Sequence, residues 1–396
     1  MPEAEKADTV GSRIRYWRMR RGAMSQGILA GLAGVSQPYI SQLESGSKSV
    51  DRRSTLVAIA SALQVTVADL LGQGTEPGDP ARDRAGACVP QIWSALIEIE
   101  DGERQPSAGS ADELGAWIAR GDQLRASANY PAMAPMLPGL LRTAAAVGGA
   151  TLAHVAYLTS TCLRNLGYRH LALNAARIAV ASAEDVEDPA WIGAARFAYT
   201  QSLPIESAAL AARAADRALA EVQAGAADER VRQMLGQLHL SAALTSAVTG
   251  RVDTARDHLA EAARDAAGLG DPADGAGFNG CGFGPTNVGL WEMSIAAELG
   301  EHGRVIELSR TVRPHVLGAA IRHQSYWLDL GRALSASGRR DGEALAAFVR
   351  AERAAPAPFA LNPLAREAVV AITHRTRRRA VPDDLRMLAG RLGIRL

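Results

Sequence analysis

The chain has 396 residues, which exceeds the length that a single hydrophobic core usually supports and favours about two or three domains. Apolar residues make up 47% of the chain but aromatic residues only 5%, which favours a largely helical protein. Its three cysteines, Cys88, Cys162 and Cys281, lie far apart and form no CxxC pair, so neither a disulfide framework nor a zinc site is suggested. No apolar run reaches the ~20 residues of a membrane span and the N-terminus lacks a signal-peptide core, so we expect a soluble, cytoplasmic protein.

Positive charge is concentrated near the N-terminus, although the whole chain is nearly neutral, with 43 basic and 42 acidic residues. Residues 11–53 contain eight Arg and Lys side chains but only two acidic ones, Glu44 and Asp51. A local basic region on a balanced chain points to a polyanion bound by one small domain. An ordinary solvated arginine surface is the alternative that charge alone leaves open.

Apolar residues recur at helical spacing in five short blocks at residues 11–21, 26–33, 37–45, 53–63 and 67–71. Ser25 and Ser36 suit the N-caps of the second and third helices, and Pro38 is tolerated in a first turn, where a backbone amide has no partner within the helix. Gly34 permits the sharp turn of a helix-turn-helix between them. The inward-facing residues of the pattern are predicted to form the core: Ile40, Leu43, Leu56, Ile59, Ala60, Leu63 and Leu70.

The segment from Met24 to Gly72 resembles the DNA-binding domain of the XRE family, the type of the phage lambda repressor and Cro. Its motifs occur in order as "SQGILAGLAG", "GVSQPYISQLESG" and "LVAIASALQV". The resemblance implies a five-helix domain in which residues 36–45 form the recognition helix. It also implies the DNA contacts, with bases read by Gln37 and Gln42 and phosphates contacted by Gln26, Lys48 and Arg52. The chemistry agrees, because glutamine can pair bidentately with adenine whereas Lys and Arg bind phosphate without regard to sequence.

The sequence departs from the family beside Gln37, where Pro38 replaces the polar residue that is common there. Tyr39 is predicted to make up for the missing base contact, through a thymine methyl group or a backbone hydrogen bond. Packing of Tyr39 at the domain surface is the alternative. Glu44 is expected to form a local salt bridge rather than to read a base.

One domain of this size reads only a few base pairs, so we expect a homodimer on a palindromic DNA operator. Two-fold symmetry would then supply a second half-site about 34 Å, or roughly 10 base pairs, away.

The composition changes after Leu71 to "GQGTEPGDPARDRAGACVP", which is rich in Pro, Gly and charged residues and predicts a linker. The segment "VPQIWSALIEIEDG" then predicts a short helix, and a second loop precedes a helix that begins near Asp112. The predicted division is a helix-turn-helix domain at 1–72, a linker with one short helix at 73–111, and a helical repeat domain at 112–396.

The clearest repeat lies at residues 327–356, and it resembles a tetratricopeptide repeat. In that family small residues let two helices approach, and large residues fill the gap between neighbouring pairs. The residues that carry the resemblance are Trp327, Leu330, Gly331, Ala344, Phe348, Ala351 and Pro356. Weaker copies follow turns at Gly167 and Gly250. About six helical pairs are predicted, and the expected fold class is all-α, a five-helix DNA-binding domain followed by a TPR-like α-solenoid.

A glycine-rich loop, "GDPADGAGFNGCGFGPTNVGLWE" at residues 270–292, is too long for a turn between repeats. It lacks the GK[ST] ending and the preceding strand of a nucleotide-binding loop. Its "FGPTNV" stretch resembles a segment of actinobacterial regulators that join an XRE domain to such repeats. A role in shaping the groove entrance is favoured over direct ligand contact. The candidate ligand contacts are Asn279, Asn287, Trp291 and Trp327, because amides hold polar ligands and indoles bury apolar area.

The histidines are scattered, and no HExxH, GxSxG or Walker motif occurs, so no catalytic residue, metal site or cofactor is predicted. We predict a sequence-specific transcription regulator whose repeats sense a peptide or a small molecule, a layout similar to that of the Gram-positive peptide-pheromone regulators. The alternative is a DNA-bound scaffold whose repeats recruit a protein partner without a small ligand.

Overall fold

The computed structural model describes residues 9–71, 80–103, 111–376 and 381–394, and most of them lie in helices. These residues include no β-strand, and none of their helices has the length and apolar character needed to span a membrane. The predicted all-α class, with an N-terminal helix-turn-helix domain and a repeat-like helical body, is confirmed.

Five helices form the N-terminal domain, and local hydrogen bonds set where they begin. They are α1 (Val10–Arg20), α2 (Gln26–Leu32), α3 (Gln37–Glu44), α4 (Arg53–Leu63) and α5 (Val67–Leu71). The hydroxyl of Thr9 accepts a hydrogen bond from the Ser12 N–H at 3.0 Å at the start of α1. Ser25 and Ser36 cap α2 and α3 in the same way, as predicted. All seven predicted core residues of this domain are buried.

A glycine sets the spacing between α1 and α3. A Cβ atom added to Gly11 would lie 1.9 Å from the carbonyl oxygen of Leu43, so only glycine allows the two backbones to approach this closely. This contact between α1 and α3 holds the buried side of α3 against the core of the domain.

Four helices follow before the repeats: α6 (Pro80–Glu100), α7 (Ala111–Ala126), α8 (Tyr130–Met133) and α9 (Leu137–Val147). The linker predicted to run up to Pro90 was wrong from residue 80 onward, because α6 has 21 residues and begins inside it. Its buried side chains recur at spacings of three and four, at Ala85, Val89, Ile92 and Leu96, and pack into one core with α9, α10 and α11. The rest of the predicted linker, at 72–79 and 104–110, lies outside the described residues, and the domain limits stay predictions.

The remaining helices are α10 (Gly149–Asn165), α11 (Arg169–Glu184), α12 (Pro189–Ser202), α13 (Ala208–Val222), α14 (Glu229–Val248), α15 (Val252–Leu269), α16 (Pro285–Leu299), α17 (His302–Leu308), α18 (Ala320–Ser335), α19 (Asp341–Ala354), α20 (Pro356–Ala360), α21 (Pro363–Thr376) and α22 (Asp383–Arg391). From α10 to α19 each helix packs against the next, and the first helices of successive pairs, α10, α12, α14, α16 and α18, also contact one another. This nearest-neighbour packing is typical of a helical repeat array.

Small residues oppose large ones where the repeat pattern predicts close approach. A Cβ atom on Gly331 of α18 would lie 2.6 Å from the ring of Phe348 on α19, which is fully buried. The same pairing of a glycine with a phenylalanine ring recurs where Phe283, from the glycine-rich loop, packs against Gly236 of α14. The loop is therefore part of the core of the array.

Candidate DNA-binding surface and the groove cluster

The helix-turn-helix consists of α2 and α3 joined by a tight turn. Gly34 adopts a left-handed conformation with φ of 65°, and the Val35 N–H donates to the carbonyl oxygen of Ala30 at 3.0 Å. Ile40 and Leu43 anchor α3 in the core, which leaves the side chains of Gln37 and Gln42 exposed. The arrangement presents a short polar helix face that could enter a DNA groove.

A chain of hydrogen bonds connects the domain interior to the start of α3. Arg18 donates to both carboxylate oxygens of Glu44, at 2.7 and 2.9 Å. The second oxygen of Glu44 also accepts from Gln26 Nε2 at 2.9 Å, and Gln26 Oε1 accepts from Gln37 Nε2 at 2.9 Å. Burial opposes the charge of Glu44, but the bonds from Arg18 and Gln26 hold the pKa of its carboxyl group below the usual value. The expected local salt bridge of Glu44 is present, and it positions two of the predicted DNA-contacting glutamines.

The other two predicted base contacts, Gln42 and Tyr39, lie outside this chain of hydrogen bonds. The Gln42 side chain makes no hydrogen bond within the described residues, while its carbonyl oxygen accepts from the Lys48 N–H at 3.1 Å and so closes the turn after α3. Tyr39 is half-buried, its hydroxyl donates to Asp51 Oδ1 at 3.4 Å, and the Lys48 ammonium lies 5.0 Å from the centre of its ring. Burial, with the charge of Asp51, raises the pKa of Tyr39, so its phenol stays protonated.

Arg52 lies at the junction between the two parts of the chain. Its Nε is 3.8 Å from Asp51 Oδ1, and a Cβ atom on Gly300, in the turn after α16, would lie 3.7 Å from its Nη1. The predicted phosphate contact of Arg52 would need this side chain to turn outward.

Next to Arg52, a buried ionic cluster joins α4 to α16 and α18. The carboxylate of Glu298 accepts from the Arg53 N–H at 2.9 Å, from Arg53 Nη1 at 2.8 Å and from Arg332 Nη2 at 3.2 Å. Arg332 also donates to Asp329 at 2.8 Å and to the Asp51 carbonyl oxygen at 2.6 Å. Burial opposes the charge of Arg332, but Glu298 and Asp329 hold the pKa of its guanidinium above the usual value.

This cluster, which we call the junction cluster (Arg53, Glu298, Asp329 and Arg332), balances two positive against two negative charges. It contributes contacts between the DNA-binding domain and the repeats. Sequence reasoning missed it, and the only signal was charged residues at apolar-spaced positions within "AAELG" and "LGRAL".

The glycine-rich loop lies against α14, where two side chains one turn apart hold its backbone. Gln233 Oε1 accepts from the Phe278 N–H at 2.7 Å, and Gln237 Nε2 donates to the Cys281 carbonyl oxygen at 3.1 Å. Asp271 caps α16 by accepting from the Thr286 N–H at 2.9 Å and from its hydroxyl at 2.7 Å. These bonds give the loop a defined shape, as the favoured structural role requires.

Three of the four predicted ligand contacts lie around this loop, and we call them the groove cluster: Asn279, Asn287 and Trp291. Asn287 is fully buried and donates to Gln237 Oε1 at 3.2 Å. Buried polar atoms in all three, Asn279 Oδ1, Asn287 Oδ1 and Trp291 Nε1, have no hydrogen-bond partner within the described residues. The fourth residue is placed elsewhere, since Trp327 packs with the α18–α19 core and has Arg350 at 4.5 Å from its ring centre.

A comparison with protein families supports the assignment of the N-terminal domain. Residues 9–71 match the family described as helix-turn-helix domain, and this range coincides with α1–α5. The chain therefore carries a helix-turn-helix domain at its N-terminus.

A comparison with solved structures finds PlcR of Bacillus thuringiensis, crystallised in complex with the peptide PapR7 and DNA. The identity is 15% and the TM-score 0.34, over 66% of this chain and 96% of that chain. No curated protein matches the sequence.

Proposed function

We propose that this protein is a sequence-specific transcription regulator that reads DNA with α3 and senses a peptide or small-molecule signal with its helical repeats. The observation that carries the proposal is the exposed face of α3, where Gln37 is positioned through Gln26 and Glu44 by the buried Arg18. Such pre-positioning lowers the entropy lost when a side chain binds a base edge. The protein would act in the cytoplasm and without catalysis.

The proposed roles on DNA follow from position and charge. Gln37 and Gln42 read base edges, and Lys48, exposed just beyond α3, contacts a phosphate. Gln26, at the start of α2, contacts a phosphate as well. Tyr39 contributes the edge of its ring rather than its hydroxyl, which Asp51 engages. Arg52 joins the phosphate contacts only when it turns away from Gly300.

A homodimer on a palindromic operator is the proposed assembly. One α3 spans only a few base pairs, and a second copy related by two-fold symmetry would double the contacts. The spacing between the two α3 helices then depends on how each DNA-binding domain sits on its repeats. The junction cluster controls that orientation, so a signal that shifts α16 or α18 would change the spacing.

The alternative is a DNA-bound scaffold whose repeats recruit a protein partner. Buried polar atoms without partners in the groove cluster favour a sensor, because such atoms are costly unless a ligand or water satisfies them.

Selection of duplexes from a randomised pool with the full-length protein tests the proposal. We expect an inverted repeat to be enriched, and the enriched half-site to change for Gln37→Ala. Failure to enrich any sequence would contradict it. A partner captured by the repeats, with operator affinity indifferent to peptide and metabolite fractions, would favour the scaffold.

A further inference from the structure

The outward side of α6, the first helix after the DNA-binding domain, is apolar. Trp93 is 51% exposed and Ile97 is 41% exposed. Residues 85–97 include no charged side chain, although charged residues make up 21% of the whole chain. A terminal helix of a repeat array usually presents a polar outer surface, which keeps the array soluble. We call the exposed side chains in the middle of this helix the α6 face: Pro90, Trp93, Ser94 and Ile97.

A second exposed tryptophan lies at the same end of the array. Trp117 of α7 is 50% exposed, and a Cβ atom on Gly139 of α9 would lie 3.7 Å from its ring. The same helix α9 adjoins α6, because the guanidinium of Arg142 donates to both carboxylate oxygens of Glu98 at 2.7 and 2.8 Å. Apart from Trp93 and Trp117, every tryptophan in the described part of the chain is buried or half-buried. Exposed aromatic area is therefore concentrated at this end, which is typical of a protein–protein interface.

The two ends of α6 carry opposite charges. Arg84 lies directly before the uncharged stretch, and Glu100, Asp101 and Glu103 follow it. All four are exposed, and none has a side-chain partner among the residues that the structure describes. A helix with one basic end and one acidic end is complementary to an antiparallel copy of itself, because each basic end then meets an acidic end. The occupant that fits both the apolar middle and the charged ends is a second copy of this chain.

The size of the α6 face indicates how strongly such a pair would associate. With 21 residues, α6 is about 31 Å long and about 10 Å wide. A footprint of roughly 300 Å² is less than half of the ~800 Å² that each partner contributes to a standard interface. Contacts from Trp117 and the binding of both copies to one DNA duplex would add to it. The dimer should therefore form weakly in solution and more strongly on DNA.

We propose that the homodimer forms through the α6 face, with α6 of one copy packed antiparallel on α6 of the other. The proposal rests on the homodimer of the proposed function and names the surface that holds it together. Arg84 of each copy faces the partner's Glu100, and the small side chain of Ser94 near the two-fold axis lets the two helices approach. The indole of Trp93 and the side chain of Ile97 are removed from water, which supplies the driving force.

The first test measures the mass of the full-length protein without DNA by sedimentation, over a concentration series that reaches about 100 μM. Ile97→Asp places a charge in the apolar middle of the α6 face. The matched control is Met387→Asp, which makes the same kind of change at a side chain of α22 that is 52% exposed. We expect a wild-type dissociation constant on the order of micromolar, a rise of at least about tenfold for Ile97→Asp, and no change for Met387→Asp.

Charge reversal tests the antiparallel orientation. In Arg84→Glu both ends of α6 are acidic, and in the double variant Glu100→Arg, Glu103→Arg both ends are basic. Each protein alone should dimerise at least about threefold more weakly than wild type at low salt. An equimolar mixture of the two should recover the wild-type dissociation constant, because each basic end then again faces an acidic end. Altered folding cannot produce this recovery, since neither protein changes on mixing.

Three results would overturn the proposal: a wild type that stays monomeric across the series, an unchanged dissociation constant for Ile97→Asp, or no recovery in the mixture. A monomeric wild type would leave the α6 face to a different protein. The duplex selection separates these failures from failure of the proposed function. If an inverted repeat is enriched while Ile97→Asp dimerises as the wild type does, the homodimer stands and only its interface is wrong.

Discussion

The carboxylate of Glu298 is completely buried and accepts hydrogen bonds from both the backbone N–H and the guanidinium of Arg53, at 2.9 and 2.8 Å, across a sequence separation of 245 residues. Its second guanidinium partner, Arg332, is buried as well. One acidic side chain therefore holds the first turn of α4 against the repeats.

Removing this carboxylate should destabilise the protein strongly. Glu298→Ala leaves Arg332 buried with only Asp329 as an acidic partner, and breaking a buried ion pair costs about 3–5 kcal/mol. The measurement is denaturant unfolding of the full-length protein. Glu301→Ala is the control, since Glu301 forms an exposed pair with Arg256 and should change stability by no more than about 0.5 kcal/mol. Similar effects of the two substitutions would contradict the importance of the junction cluster.

Two glycines of the DNA-binding domain should respond to alanine in opposite directions. Gly11→Ala places a methyl group against the backbone of Leu43, which cannot move aside, and should cost about 1–3 kcal/mol. Gly31→Ala, in α2, meets nothing within 4 Å and should stabilise by about 0.5–1 kcal/mol, because alanine favours the helix. Chemical unfolding followed by circular dichroism measures both. A neutral Gly11→Ala would show that α1 and α3 do not pack as closely as described.

Lys48 should contribute to DNA affinity but not to specificity. Lys48→Ala is expected to weaken binding to all duplexes alike and to lower the slope of log affinity against log salt by about 1. Fluorescence anisotropy titrations over a salt series give this slope. Arg386→Ala, on the exposed side of α22, should leave the slope unchanged. An unchanged slope for Lys48→Ala would remove Lys48 from the phosphate contacts.

Glu367 should make stability depend on pH. It lies buried on α21, its Oε1 accepts from the Val10 N–H at 3.4 Å, and burial raises the pKa of its carboxyl group to about 7. The folded state therefore holds a proton that the unfolded state, with a pKa near the ordinary ~4.3, releases earlier. This contribution is present in full below pH ~4.3 and is lost as pH rises through about 7.

Glu367→Gln, which stays neutral at every pH, should remove that loss. Relative to wild type, the free energy of unfolding of the variant should increase between pH 5 and pH 8 by up to about 3 kcal/mol. Urea unfolding at several pH values measures the difference. Parallel pH profiles for the two proteins would contradict a protonated Glu367.

The helix-turn-helix could be predicted from the sequence because its determinants are local. Ser25, Gly34 and Ser36 specify caps and a turn within a dozen residues, and the spacing of Ile40 and Leu43 specifies the buried face. The start of α6 was predicted wrongly, because the local composition of its first residues is that of a linker. Its first residues are charged and proline-rich, and only the stripe from Ala85 onward shows that the helix packs.

The junction cluster could not be predicted, because periodicity encodes which residues are buried but not which polar groups meet. Arg53 and Glu298 are 245 residues apart in the chain and meet only in the folded protein. Trp327 was also difficult to place from the sequence. Its repeat motif identified a large packing residue but did not indicate which hydrophobic cluster it packs against. Asn287 and Trp291 lie one turn apart on the helix after the loop, so their proximity follows from helix periodicity alone.

The central claim, that α3 reads a specific sequence, is tested most directly by equilibrium binding of the full-length protein to its selected duplex and to the same duplex with both half-sites scrambled, at one salt concentration. The account predicts at least about 10³-fold tighter binding to the selected duplex. It also predicts that Gln37→Ala and Gln42→Ala each lose about 1–3 kcal/mol of that preference. Equal affinities for the two duplexes, or an undiminished preference in both variants, would contradict it.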